Sequence, residues 1–240
     1  MSTIYFIRKS KALFLKWNLH RIFSPLVQPF LLLAYLTKLS KWRKKHSTHA
    51  CNDFYSEFDY NKRYTLYEHL LAAEVKEQEV LYLEFGVAQG LSMKWWLTHH
   101  QNEQSEFYGF DTFEGLPEDW GTFKQGAMTS GGKFPEVNDT RCTFVKGLFQ
   151  DTLPGKISTI RNLGGRKKII HLDADLYSST LYVLTSLAPY LKPGDILMFD
   201  EFNVPLHEFK ALMDFESAYY IKYDVIASMN NYFHVALKLK

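Results

Sequence analysis

The sequence predicts an α/β fold: a doubly wound, mostly parallel seven-stranded sheet with one antiparallel edge strand, preceded by an N-terminal helical arm. Three observations carry this expectation. Short apolar runs alternate with longer helical patterns from residue 80 onward, as successive βαβ units require. The runs are nearly free of charge, as strands covered on both faces are. Two closing strands flank Asn230-Asn231, a turn signal that implies one antiparallel pairing. With 240 residues and 46% hydrophobic content, the chain suits one such domain with a full core and an appendage. The expected division is an arm over residues 1–50 and a body over 51–240.

The arm is set apart by charge. Residues 1–52 contain no Asp or Glu and carry ten Lys or Arg, including the run Arg43-Lys44-Lys45, so their net charge is +10. The whole chain is only +2, which leaves −8 on the rest. Within the arm, residues 22–36 (IFSPLVQPFLLLAYL) are uncharged. A membrane-spanning helix needs about 20 apolar residues; this run is shorter and is interrupted by Pro25, Gln28 and Pro29. It lacks the small-residue cleavage site of a secretory signal. Phe14, Trp17, Phe30 and Trp42 among cations suit peripheral membrane contact through residues 1–45. Packing on the arm's own body or on a second subunit is the other reading, and a homo-oligomer is expected. No nucleic-acid motif accompanies the cations, so no nucleic acid is expected as partner. The stretch KWRKK at 41–45 reads as a linker.

The body then reads in order. Val80–Phe85 is a strand, Leu91–His99 a helix and Glu106–Phe110 a strand. Residues 112–140, rich in Gly, Pro, Thr and Asp, form a loop long enough to be functional. Thr143–Lys146 and Lys168–Leu172 are strands, and Ser179–Leu191 is a helix ended by Lys192-Pro193-Gly194. Ile196–Phe199 is a strand and Leu206–Tyr219 a helix. Lys222–Ala227 and Tyr232–Lys238 close the sheet. His171 reads as a core histidine, His99-His100 as a solvent-facing helix end, and one of Trp95 and Trp96 as core. The two cysteines, Cys51 and Cys142, form no disulfide framework, which fits the cytoplasm.

Ligands of such sheets bind beyond the carboxyl ends of the strands. The first body strand ends in Glu84-Phe-Gly-Val-Ala-Gln-Gly90, whose Gly86 and Gly90 permit a tight turn before a helix N-terminus. The next ends in Asp111, placed where a ribose diol is commonly held, so the pair reads as a Rossmann-like nucleoside site. Alone, Asp111 is a turn cap. The fourth and fifth strands end in Asp173 and Asp175, and in Asp200 and Glu201. Neighbouring strands lie about 4.8 Å apart, so these acids converge. A hard divalent cation such as Mg²⁺ is the natural partner of so many carboxylates. The plain alternative is that Asp175 and Ser178 cap the following helix.

Five segments, YLEFGVAQGLS, FYGFDTFEGLPEDW, FVKGLFQDTLP, HLDADLYSST and LKPGDILMFDEF, occur in this order. Together they resemble the macrocin-type O-methyltransferases, which methylate sugar hydroxyls in macrolide and aminocoumarin biosynthesis, over roughly residues 55–238. The resemblance implies a metal-dependent enzyme of S-adenosylmethionine. It would place Glu84, Gly86, Gly90 and Ser92 in the cofactor loop. Asp111 would lie on the ribose, with Thr112 and Phe113 on the adenosine side. Gly147 and Phe149 would lie near adenine, and Asp173 between cofactor and metal. Asp173, Asp200 and Glu201 would hold Mg²⁺, and Asp175 would be the general base. The family usually has Asp-Asp where this chain has Asp200-Glu201. The implied function is transfer of a methyl group to a hydroxyl of a sugar or glycoconjugate, a small-molecule or glycan acceptor. A catechol-like or lipid-head-group hydroxyl is the alternative acceptor. A non-catalytic, membrane-associated binding module is the alternative class. The expected setting is the cytoplasm, with the arm able to meet the inner face of the membrane.

Overall fold

The computed structural model of the protein describes residues 3–49, 51–54 and 57–240. Met1, Ser2 and Ala50, which belong to the expected arm, lie outside the described residues. The arm folds as two helices, α1 (Thr3–Lys16) and α2 (His20–Lys45). They are joined through Asn18 in the left-handed region, φ +50°. Pro25 and Pro29 do not end α2. They are four residues apart and share one face, so the missing N–H donors fall on one side of the helix.

The body holds one eight-stranded sheet. Its strands are β1 (Cys51–Asn52), β2 (Val80–Phe85), β3 (Glu106–Asp111), β4 (Cys142–Lys146), β5 (Lys167–Leu172), β6 (Ile196–Phe199), β7 (Tyr223–Met229) and β8 (His234–Leu239). The order is β1-β7-β8-β6-β5-β2-β3-β4. The helices are α3 (Lys62–Leu70), extended by a wide turn over Leu71–Val75, α4 (Leu91–His99), α5 (Phe149–Ile157), α6 (Tyr177–Leu187) and α7 (Glu208–Tyr219).

The mostly parallel, doubly wound architecture is as the sequence predicts. The eighth strand is β1, whose two residues pair in parallel with Ala227 and Ser228. The antiparallel strand, β8, lies inside the edge rather than on it. It runs between β6 and β7 and is antiparallel to both. The hairpin signal at Asn230 and Asn231 is real, with both residues at positive φ, but the returning strand enters the gap beside β6.

Alternation along the strands divides the core between two faces, as a period of two requires. From β2, Leu81, Leu83 and Phe85 face α5, α6 and α7, together with Leu197 and Phe199 of β6. Val80 and Tyr82 face α3 and α4, together with Ile196 and Met198. Trp96 is the core member of its tryptophan pair, being fully buried. His100 departs from the expectation: it is buried and hydrogen-bonds Ser105 at 2.8 Å, because the chain turns inward after α4.

The stretch 41–45 is not a linker. It is the last turn of α2, and Trp42 is buried against Phe202, Phe209 and Tyr232, with ring centroids at 4.7, 6.2 and 6.1 Å. Its indole N–H donates to Tyr223 Oη at 2.9 Å. The helical period turns one aromatic inward while Lys41, Lys44 and Lys45 face solvent and Arg43 lies over the Phe54 ring at 4.0 Å. Trp42→Ala should therefore cost about 3–5 kcal/mol of body stability, as removal of a large core side chain does. Urea unfolding of the full chain measures this.

Candidate active site

The strand order reverses between β2 and β5, and in open α/β sheets a crevice forms at that point. Gly86 leaves β2 at φ +91°, and its N–H donates to Phe110 O at 2.9 Å. A Cβ built on it would lie 1.7 Å from the carbonyl oxygen of Asp173, at the end of the neighbouring β5. The turn and the close approach of two backbones both demand glycine here. Gly86→Ala should destabilise the protein by about 3 kcal/mol or more, from strain and overlap combined, seen as a lower urea midpoint.

Asp111 ties the tips of β2 and β3 together. Its Oδ2 accepts from the N–H groups of Val87 and Ala88 at 2.8 and 2.7 Å, and its Oδ1 from Phe113 N–H at 2.7 Å. It thus caps its own turn and also lines the crevice.

The crevice is a cavity of about 460 Å³. Seven of the expected site residues line it: Gly86, Asp111, Thr112, Phe149, Asp173, Asp175 and Glu201. Ser92 lines a smaller cavity of about 250 Å³, which shares Tyr60, Ala88, Met128 and Asp173 with the first. Glu84, Gly90, Phe113, Gly147 and Asp200 line neither. Glu84 is buried beneath the glycine turn, where it accepts from Tyr82 Oη at 3.0 Å, and burial pushes its pKa up to about 8. Gly90 starts α4 at φ +72°. Phe113 is core, packed on Phe134 and Phe144. Gly147 donates its N–H to Asp111 O at 2.9 Å.

The four acids meet at the opposite wall. Asp173, Asp175 and Glu201 each offer an oxygen within 4.8 Å of the others'. His171, Asp173 and Asp200 form a second group on the same criterion. Asp173 belongs to both, while Asp200 and Glu201 fall in different groups. Asp200 is turned into the protein. His234 Nδ1 lies 3.1 Å and His171 Nε2 3.7 Å from its Oδ1, and Tyr60 Oη donates to its Oδ2 at 3.3 Å.

These surroundings set the electrostatics. Burial alone would raise the pKa of Asp200, but the two imidazoles outweigh it and hold the carboxyl well below the usual range. Asp173 is pushed well above its usual value, first by removal from water and then by Asp200 and Asp175. Asp175 is raised to about 6, chiefly by burial. Glu201 is raised well above normal, first by burial and then by Asp173. Among the described residues, the buried atoms Glu201 Oε2 and Glu208 Oε1 have no hydrogen-bond partner. Converging oxygens with unmet bonding capacity fit a hard divalent cation. Asp175 itself sits in the left-handed region, φ +57°, and Leu176 N–H closes a tight turn around it onto Ala174 O at 2.5 Å.

Four residues of this wall were absent from the sequence reading: Tyr60, Arg63, Glu208 and His234. Arg63 donates to Tyr60 Oη at 2.8 Å and so orients the phenol toward Asp200. Glu208 is fully buried, and its Oε2 accepts from Glu201 N–H at 3.0 Å. The one local signal is that Glu208 falls on the same helical face as Ala211, Leu212 and Phe215, the buried side of α7. The long loop folds over the cavity, to which it contributes Leu116, Pro117, Trp120 and Phe123. Ser178 at the start of α6 fastens it, donating to Glu118 Oε1 at 2.6 Å.

Comparison with known proteins identifies the family and the fold. Residues 83–202, half of the chain, match the family described as Methyltransferase domain. A curated relative from Streptomyces olivaceus, 8-demethyl-8-(2,3-dimethoxy-alpha-L-rhamnosyl)-tetracenomycin-C 4'-O-methyltransferase, is 39% identical over 66 residues. That match covers 28% of this chain and 23% of the relative's length. Among solved structures, the calicheamicin methyltransferase CalS11 superposes with a TM-score of 0.55 at 21% identity, over 75% of this chain and 78% of that one. The O-methyltransferase NovP gives 0.56 at 16% identity, over 88% and 98%. These findings bear out the resemblance read from the five sequence segments.

Proposed function

The chain belongs to the methyltransferase domain family, and on that premise we propose that it moves a methyl group from S-adenosylmethionine to a hydroxyl of a sugar or glycoconjugate, with a divalent cation such as Mg²⁺ in the site. The observation that carries this reading is the single cavity with a glycine turn on one wall and clustered carboxylates on the other. Its size, about 460 Å³, falls within the range of small-molecule sites.

Gly86, Asp111 and Thr112 would hold the cofactor, with Leu148 and Phe149 against its base. Asp173 and Glu201 would hold the cation, with Asp200 fixed beside them by its two histidines. When bound, the cofactor supplies an electrophilic methyl group and the cation supplies positive charge that stabilises the acceptor oxygen as its proton leaves. The protein's part is placement and proton removal. Asp175 accepts the hydroxyl proton on its carboxylate. The carboxylate wall sets the acceptor's position relative to the cofactor side of the cavity, which replaces an entropic cost by preorganisation. Trp120, Leu116 and Pro117 roof the cavity and exclude water. The two cysteines are free, which supports a cytoplasmic setting.

Calorimetric titration with S-adenosylmethionine, with and without Mg²⁺, tests the reading. Binding is expected in both, and label from methyl-tritiated cofactor should reach a sugar acceptor only with the cation. Failure to bind the cofactor under either condition would favour a non-catalytic binding module.

A further inference from the structure

The arm is the largest feature that this activity does not use. From Thr3 to Ala34 every residue except Leu19 and Leu31 is exposed, and those two only partly covered. Sixteen large hydrophobic side chains of the arm stand in solvent, among them Phe6 (71% exposed), Trp17 (63%), Ile22 (67%) and Phe30 (63%). Soluble monomers rarely expose contiguous apolar patches above a few hundred Å². Ten cations and no acid accompany them.

Geometry separates lying on a bilayer from crossing one. α2 is long and apolar enough to cross by length and composition. Its uncharged stretch, 22–37, is shorter: sixteen residues rise about 24 Å, against a hydrocarbon core of about 30 Å. The helix is also held at its far end, where Tyr35 and Trp42 are buried in the body. Cationic residues flank the stretch on both sides: Lys16 and Arg21 before it, Lys38, Lys41 and Arg43–Lys45 after it. Positive flanks stay on the same, cytoplasmic side of a membrane. The chain bends between the helices, since Phe14 of α1 stacks on Phe23 of α2 at 5.6 Å. A straight helix would hold residues nine apart at about 13 Å along its axis.

We propose that residues 3–34 seat in the interface of an anionic bilayer, with apolar side chains in the acyl boundary and cations among the lipid phosphates. Charge selects this occupant over a second copy of the chain. Two arms of +10 repel each other. The acidic body attracts the cations but gives the apolar groups no matching surface. Its exposed large hydrophobics rim the cavity (Tyr60, Phe123, Met128, Leu148), end α7 (Tyr219, Tyr220) or stand apart from one another in sequence (Phe58, Leu91, Phe134). Anionic lipid offers both the phosphates and the hydrocarbon.

Flotation of the full chain with vesicles of phosphatidylcholine alone, or mixed with phosphatidylglycerol, tests this. The protein should rise with the mixed vesicles and be partly released by high salt, as screening requires. The double variant Phe30→Glu, Leu33→Glu should lower the partition coefficient by at least about tenfold. Its binding of S-adenosylmethionine should be unchanged, which shows that it is folded. Absence of flotation with either vesicle would overturn the proposal, as would equal flotation with both. So would a dimer in sedimentation that the double variant dissolves while vesicles are ignored.

Discussion

Asp175→Asn should lower methyl transfer by about three orders of magnitude while leaving S-adenosylmethionine affinity within about a factor of two. The substitution removes the proton acceptor and little else. Asp175 is held at φ +57°, a conformation that asparagine tolerates as well as aspartate does, so the turn between β5 and α6 survives. The cofactor side of the cavity, formed by Gly86, Asp111 and Thr112, is built by other strands. Crowding also falls, because one of the three carboxylates within 4.8 Å of each other loses its charge. The variant should therefore be at least as stable as the parent without cation. A loss confined to the chemical step is the signature of a group that acts on the reacting proton. Single-turnover rates, read beside calorimetric cofactor binding, separate this from a structural role. Full turnover in the variant, or cofactor affinity falling in step with rate, would remove Asp175 from the reaction.

The sequence showed the parts of this site that lie on strand tips. β2, β3, β5 and β6 are each a run of four to six residues ending in a glycine turn or an acid. In a parallel sheet all such tips point to one edge, so their residues share one crevice without any knowledge of pairing. Pairing itself was not local information. β8 is apolar and alternating whether it lies at the edge or beside β6, and only packing decides between them. β1 is a strand only because Ala227 and Ser228 offer partners. α5 was hidden by Pro154 and Gly155 within FQDTLPGKI, two residues that argue against a helix. The same holds for the second layer of the acid wall. Tyr60 reaches Asp200 across 140 positions of sequence, and His234 across 34. Each of these residue types has an ordinary surface or core reading on its own. Trp42 shows the opposite failure: four charges around it mask one inward aromatic.

Mg²⁺ at about a hundred times its dissociation constant should stabilise the cation-free protein by about 2.7 kcal/mol. That is a rise in Tm of roughly 5–10 °C for a domain of this size. Chelation should likewise reduce turnover by about two orders of magnitude or more. The physical origin is the unbalanced charge at the crevice. Asp173, Asp175 and Glu201 face one another, and Glu208 lies behind them. Glu201 Oε2 and Glu208 Oε1 lack partners among the described residues. Without a cation, some of these groups must protonate or repel. Glu201→Gln removes one charge and one ligand, so it should raise the Tm of the cation-free protein and abolish most of the increment from Mg²⁺. Glu201→Asp, which creates the pair usual in the family, keeps the charge and should keep the increment. Asp200→Asn probes the other group, the one with His171. If Glu201→Gln leaves the increment intact while Asp200→Asn removes it, the cation belongs with His171, Asp173 and Asp200. Glu201 would then be left to serve Asp175 through their shared wall. If both variants remove it, the two overlapping groups act as one site, and Asp173, common to both, is its centre.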